Sequence, residues 1–181
     1  MVLADRKIPF FEAEEALILR DKDYYQYLLC GIRRARKRVV AVQFAIDIRT
    51  GMDVNREVVA LCHALAEASW RGLDVRVIVN RLLTPDLQLD VNRVAHRFLA
   101  QRGVRVRAYR APEGSHRDSV HSKLALLDDE VVLVGSHNWT PNAFDANRET
   151  SVAVRSGDLA LDLLQTFERM WQHGEEHLDL V

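Results

Sequence analysis

Residues 121–149 read HSKLALLDDEVVLVGSHNWTPNAFDANRE. LALL (124–127) and VVLVG (131–135) are two short runs of β type, joined by the polar turn Asp128-Asp129-Glu130, which is a hairpin signal. Side chains alternate faces along a strand, so His121 and Lys123 point the same way and a regular strand sends Asp128 to the other face. Gly135 closes the second run and permits a sharp turn, which returns Ser136 and Asn138 beside the first run.

An imidazole and an ammonium on one strand face suit an anion. The ammonium is a compact positive charge for a phosphate or sulfate. It also disfavours protonation of the neighbouring ring and leaves a lone pair free to attack. Ser136 and Asn138 add uncharged donors for oxygens on which charge builds. Glu149 is placed to accept the proton of the far ring nitrogen and fix the tautomer. On residues alone this is an oxyanion site with a candidate nucleophile.

The spacing H-x-K-x4-D-x6-G-S-x-N resembles the signature of the phospholipase D superfamily. It is matched at His121, Lys123, Asp128, Gly135, Ser136 and Asn138, and Glu149 falls where members carry a carboxylate. The helix and strand pattern on both sides looks like one family domain, so the resemblance covers nearly the whole chain. The expected fold is α/β: a three-layer sandwich with a mixed, mostly parallel sheet and helices on both faces. Residues 1–15 read as a lead-in and 16–181 as a single phospholipase D-like domain.

The chain has 181 residues and a net charge of −1. That length suffices for one core burying roughly 70% of the unfolded surface. The charge neither favours nor excludes nucleic acid, so attraction for polyanions must be local. Cys30 and Cys62 read as buried free thiols in helices, and with no C-x-x-C there is no zinc signature. No apolar run reaches the roughly 18 residues of a bilayer span. MVLADRKIPFFEAEE lacks an apolar core, so the default expectation is a soluble cytoplasmic protein without stable membrane association.

Along the chain, Ala16–Leu19 reads as a first strand. A helix capped by Asp21 follows, with Tyr25, Leu28, Leu29 and Ile32 inward and ending in RRARKR. That cationic end reads either as a solvated helix terminus or as a phosphate-tracking surface. Val39–Ile46 is a buried strand; a helix capped by Asp53 or Asn55 and the strand LDVRVIVN complete a crossover unit. Asp90 is the expected cap of a helix carrying Val91, Val94, Ala95, Phe98 and Leu99. VRVRAY is a strand whose Arg105, Arg107 and Tyr109 face is either half-exposed or basic and base-stacking. Arg110, His116 and Arg117 lie in the loop before His121 and are candidates for the rim of the site. Trp139 either packs the loop or stacks on substrate. Asp158 or Ser156 starts a last helix. His173 and His177 stand four apart, but Gly174 breaks the helix between them, so no metal pair is expected.

H-x-K occurs once. The family mechanism needs two histidines across one phosphate, and small single-motif bacterial endonucleases of the family take the second from a twin subunit. The resemblance therefore implies a homodimer with a composite site. In it His121 is nucleophile and, from the partner, general acid, and Lys123, Asn138 and Ser136 hold oxygens. Glu149 orients His121, and Asp128 and Gly135 serve structure. It implies no cofactor and no metal. The expected activity is a nuclease acting on DNA or RNA. The alternatives are a phospholipid or other small-phosphodiester hydrolase or transferase, and a non-catalytic nucleic-acid-binding module.

Overall fold

A computed structural model of the chain describes residues 10–48, 56–81, 87–115 and 119–176. Its elements are β1 (Glu15–Arg20), α1 (Lys22–Arg34), β2 (Arg38–Gln43), α2 (Arg56–Trp70), β3 (Asp74–Val79), α3 (Leu87–Ala100) and β4 (Arg105–Ala108). Then follow β5 (Lys123–Leu127), β6 (Val131–Gly135), α4 (Pro141–Asp145), β7 (Thr150–Arg155) and α5 (Gly157–His173).

One seven-stranded sheet runs in the order β1-β7-β6-β5-β2-β3-β4. The α/β class and the mixed sheet hold, but the expected parallel majority does not. Only β2–β3 and β3–β4 pair in parallel, while β1–β7, β7–β6, β6–β5 and β5–β2 are antiparallel. The physical reason lies in the connections. Helices return the chain from β2 to β3 and from β3 to β4, whereas the tight turn at 128–130 can only reverse it.

Alternation on each strand divides the core in two. Val39 and Ala41 of β2, Ala125 and Leu127 of β5, and Val75 and Val77 of β3 face α1–α4. Val40, Val42, Leu124, Leu126 and Val132 face α5 through Ala160 and Phe167. On α1 the buried stripe is Tyr24, Leu28 and Ile32, at four-residue spacing. Tyr24, rather than the expected Tyr25, is the residue fully enclosed.

Several local expectations change. Ser156 caps α5, accepting from Leu159 N. Asp90 lies inside α3, and Asp53 and Asn55 fall outside the described residues. Cys62 is buried, which pushes its thiol up to about 12, but Cys30 is exposed on the outer side of α1. Gly174 ends α5 after His173, and His177 lies outside the described residues.

Asp128 sits in the β5–β6 turn with φ 55°. Its carboxylate accepts the backbone N–H groups of Arg36, Lys37 and Arg38 at 2.7–3.2 Å, and its own N–H donates to Arg38 O at 2.9 Å. It thus ties the hairpin to the start of β2. β5 places this tie roughly 17 Å from Lys123, at the opposite end of the sheet. Asp128→Ala is expected to lower stability by about 1–3 kcal/mol, because three backbone donors lose their acceptor. A thermal melt reads that loss, and the fold around His121 should stay intact below the melting transition.

Candidate active site

The C-terminal ends of β2 and β3, the start of β5 and the end of β6 meet at one edge of the sheet. Gln43 pairs directly with Lys123 across β2 and β5, so the first residue of β5 stands against the last of β2. Lys123 is buried and His121, just before the strand, is exposed. Parity places them as expected. Lys123 Nζ lies 3.0 Å from His121 Nδ1 and 3.3 Å from Nε2, and donates to His121 O at 2.8 Å. Burial lowers the Lys123 ammonium from its ordinary value, and the Glu149 charge opposes that shift.

The stretch after β6 crosses the mouth of the site. Ser136 N donates to Thr150 O, keeping Ser136 beside β7, while Trp139 N donates to Ala45 O and Asp47 N to Trp139 O beyond the end of β2. Strand β5 lies between β6 and β2 in the sheet. Asn138 is therefore carried across the start of β5, where His121 and Lys123 stand. Asn138 is half-buried, and its Oδ1 is enclosed with no hydrogen-bond donor among the described residues. Gly135 matters for a different reason from the one its position suggests. It does not adopt positive φ. A Cβ there would overlap the backbone and side chain of Ser151 on β7, so only glycine lets the two strands close at this point.

Glu149 departs from expectation. Its carboxylate accepts from Ser136 Oγ and from Asn147 Nδ2, and it makes no hydrogen bond to His121 among the described residues. Ser136 Oγ in turn accepts from Thr150 N at 3.1 Å. The ring of His121 packs instead on Phe44, with centroids 4.6 Å apart. Trp139 is fully buried and its Nε1 donates to Tyr24 Oη, so it packs the loop and offers no face to a substrate. Arg110 pairs with Glu175 at 2.9 Å. His116 and Arg117 lie outside the described residues.

The two basic clusters noted in the sequence are placed away from the site or neutralised. Arg36, Lys37 and Arg38 stand at the opposite end of β2, at the Asp128 turn. Arg105 pairs with Asp74, and Arg107 pairs with Glu176 while donating to Trp171 O.

Sequence reading missed two supports. The first is a buried amide network. Asn92 Oδ1 accepts from Ile46 N, and its Nδ2 donates to Phe44 O and Asn80 O, all at 2.9 Å. Asn80 Oδ1 accepts from Val120 N, one residue before His121. The second joins Asp21 to His137. Asp21 occupies the N-cap position of α1 with φ 47° but makes no cap hydrogen bond. Its carboxylate instead accepts from Glu149 N at 3.0 Å and from Arg148, and these two bonds hold it below its usual range. Its carbonyl faces His137 Nε2 at 3.0 Å, and His137 Nδ1 meets Ser151 Oγ at 2.7 Å. His137 stacks on Tyr24 at 4.4 Å, and burial pushes its imidazole below the usual value. No local signal marked these residues: Asn92 lies in a helix with several polar residues, and His137 stands between two polar neighbours outside any strand or helix.

The arrangement offers an accessible imidazole, a cation against it, and hydroxyl and amide groups beside it, which is what transfer at an anionic centre requires. The family model described as "Cardiolipin synthase, PLD-like domain" matches residues 28–171. The chain belongs to the phospholipase D superfamily. It is similar to cardiolipin synthase B of Salmonella typhi, 33% identical over 96 residues, covering 52% of this chain and 21% of that protein. It is also similar to the mitochondrial cardiolipin hydrolase of Homo sapiens, 33% identical over 102 residues, covering 56% and 36%. The matched part is thus about a fifth to a third of these curated relatives. The crystal structure of Nuc, a phospholipase D family member from Salmonella typhimurium, superposes with a TM-score of 0.73 at 19% identity, over 90% of this chain and 97% of Nuc. That likeness carries the fold. The family activity is phosphodiester chemistry of the phospholipase D type.

Asn92→Leu should leave Ile46 N–H, Phe44 O and Asn80 O without their partner, at a cost of about 2–4 kcal/mol. Thermal denaturation reads the loss. Tryptophan fluorescence should change with it, because Trp139 is anchored to the same Ala45–Asp47 segment.

Proposed function

We propose that the protein is a metal-independent nuclease that hydrolyses DNA or RNA phosphodiesters through a covalent phosphohistidine at a site shared by two subunits. The observation that carries the reading is the 3.0 Å approach of Lys123 Nζ to an exposed His121 at the sheet edge. His121 of one subunit attacks phosphorus, forming a P–N bond as the P–O bond to the leaving alcohol breaks. His121 of the second subunit gives that alcohol its proton, then takes one from the water that cleaves the P–N bond. Lys123 and Asn138 of both subunits hold the non-bridging oxygens, with Ser136 assisting. When a substrate oxygen engages Ser136, the Glu149 carboxylate is released towards the His121 ring. These paired cations and donors supply the charge stabilisation without a metal.

The single H-x-K supports a two-chain site. A half-exposed apolar row, Ile18–Val152–Val134, crosses β1, β7 and β6 next to Gly135 and supports a subunit contact there. The second reading is a phospholipid or other small-phosphodiester hydrolase or transferase, favoured by the two cardiolipin-named relatives. No helix among the described residues is long and apolar enough to cross a membrane. A third reading, a nucleic-acid-binding module without turnover, is opposed by the intact His121, Lys123, Asn138 and Glu149.

Labelled DNA, RNA and lipid diesters should be screened with EDTA beside the His121→Ala protein. Nucleic-acid cleavage that survives EDTA is expected, with both turnover and an acid-labile adduct lost in the variant. An adduct that persists in His121→Ala would remove this nucleophile, and a fully active monomer by light scattering would remove the shared site. Cleavage of lipid vesicles alone would favour the second reading.

Activity should also fall at alkaline pH. Lys123 holds oxygens only while protonated, and burial places its pKa below the ordinary lysine value. The decline in kcat/KM should therefore begin at lower pH than for a solvated lysine. Lys123→Arg stays charged, so its residual activity should lack that limb.

A further inference from the structure

We infer that the outer side of α3 is a binding groove for single-stranded nucleic acid, leading away from the active site and ending on Trp70. The inference rests on the nuclease reading and names the strandedness of its substrate. The groove is lined by Arg93, Val94, Arg97, Phe98, Gln101 and Arg102, three arginines and no carboxylate. The charge of Arg97 and Arg102 is available in a way that the charge on and just after β4 is not. Arg105, Arg107 and Arg110 are all tied to Asp or Glu, whereas Arg97 and Arg102 have no carboxylate partner among the described residues. Arg102 is also pre-set. Its guanidinium lies 3.6 Å over the Phe98 ring and donates to Phe98 O at 3.1 Å, and Phe98 is braced edge-on by His63. A planar guanidinium held this way presents its remaining donors in a fixed direction, which suits a phosphate.

The far end has an aromatic face. Trp70, the last residue of α2, is 69% exposed. Its indole stands beside Gly103, the residue after Arg102, and Ser69 Oγ fixes that turn by donating to Gly103 O at 2.7 Å. A lone exposed tryptophan means little. One set beside the residue after Arg102, at the end of a groove where Arg97 and Arg102 have no carboxylate partner among the described residues, combines a stacking platform with phosphate contacts, the recognition mode of single strands. A duplex keeps its base faces covered and has nothing to place on Trp70.

The near end adjoins the site. Asn92, the residue before Arg93, is bonded to Phe44 O and Ile46 N, and Phe44 packs on His121. From Arg93 to Arg102 the helical rise covers roughly 14 Å. That leaves room for about two to four backbone phosphates. A membrane surface is the poorer match. The apolar stripe of α3, Val91, Ala95 and Leu99, is buried in the core, so among the described residues no broad apolar face is left to enter a lipid interface.

The test uses a fluorescein-labelled 16-nucleotide single strand and fluorescence polarisation, in the His121→Ala background so that binding is not lost to cleavage. Arg97→Glu with Arg102→Gln should weaken binding at least about tenfold and make the log–log salt slope shallower by about 1.4, at roughly 0.7 per phosphate contact. Trp70→Ala should weaken binding at least about fivefold. If the double variant fails to fold by circular dichroism, Arg97→Glu alone serves, with about half the change in slope. With His121 intact, the same variants should hydrolyse bis(p-nitrophenyl) phosphate as the parent does. Unchanged oligonucleotide affinity and slope, or a parallel loss on the small diester, would overturn the groove. So would a loss confined to anionic lipid vesicles. A parent protein that cleaves DNA while the variants bind normally sinks the groove alone. A parent that hydrolyses the small diester but neither binds nor cleaves any nucleic acid sinks the nuclease reading with it.

Discussion

An ammonium must be kept charged and still against an imidazole at the open edge of a sheet, and much of the architecture answers to that constraint. Lys123 is the first residue of a central strand, and its neighbours β2 and β6 hold it from both sides. Full burial would favour the neutral amine, and full exposure would let the side chain wander. The intermediate solution is a buried stem whose head reaches the His121 carbonyl and ring. A nearby carboxylate offsets part of the desolvation.

The support around that pair is polar and mostly hidden. Asn92 and Asn80 link the segments following β2 and β3 to the residue before His121. Such a network costs much when a partner is lost, and Asn80 Nδ2 already has none among the described residues. On the other flank, buried His137 bridges the start of α1 to β7 through two hydrogen bonds and a stacked tyrosine. The exposed groups at the candidate site are few, and the residues that fix them come from elements far apart in sequence.

That division decides what could be read in advance. The His121–Lys123 pairing follows from strand parity, and the hairpin from its polar turn; both are local. So is the separate fate of Asp128, since it falls just past the strand. The sheet's antiparallel majority was not legible, because β5 meets β2 across about 80 residues and no local pattern names that neighbour. Gly135 was noticed for its freedom to turn, yet its value is the space it leaves for Ser151, a contact with another strand. Asp21 looked like a cap because Asp before a helix usually is one. Its carboxylate is drawn off by Glu149 and Arg148, partners 127 and 128 residues away. Glu149 itself was placed by analogy on the histidine and is found on Ser136, a neighbour across β6 and β7.

The pairing of β1 with β7 has a consequence for when the protein becomes competent. Residues 15–20 have residues 150–155 as their sheet partner, so they gain it only after those residues have been made. The same closing event brings Asp21 onto the backbone of Glu149. Residues from the two ends of the domain thus lock the acidic side of the active centre together, so a half-folded chain carries its imidazole and ammonium without their carboxylate neighbour in place. The carboxylate side of the candidate site is therefore complete only in a chain whose first and last strands have paired.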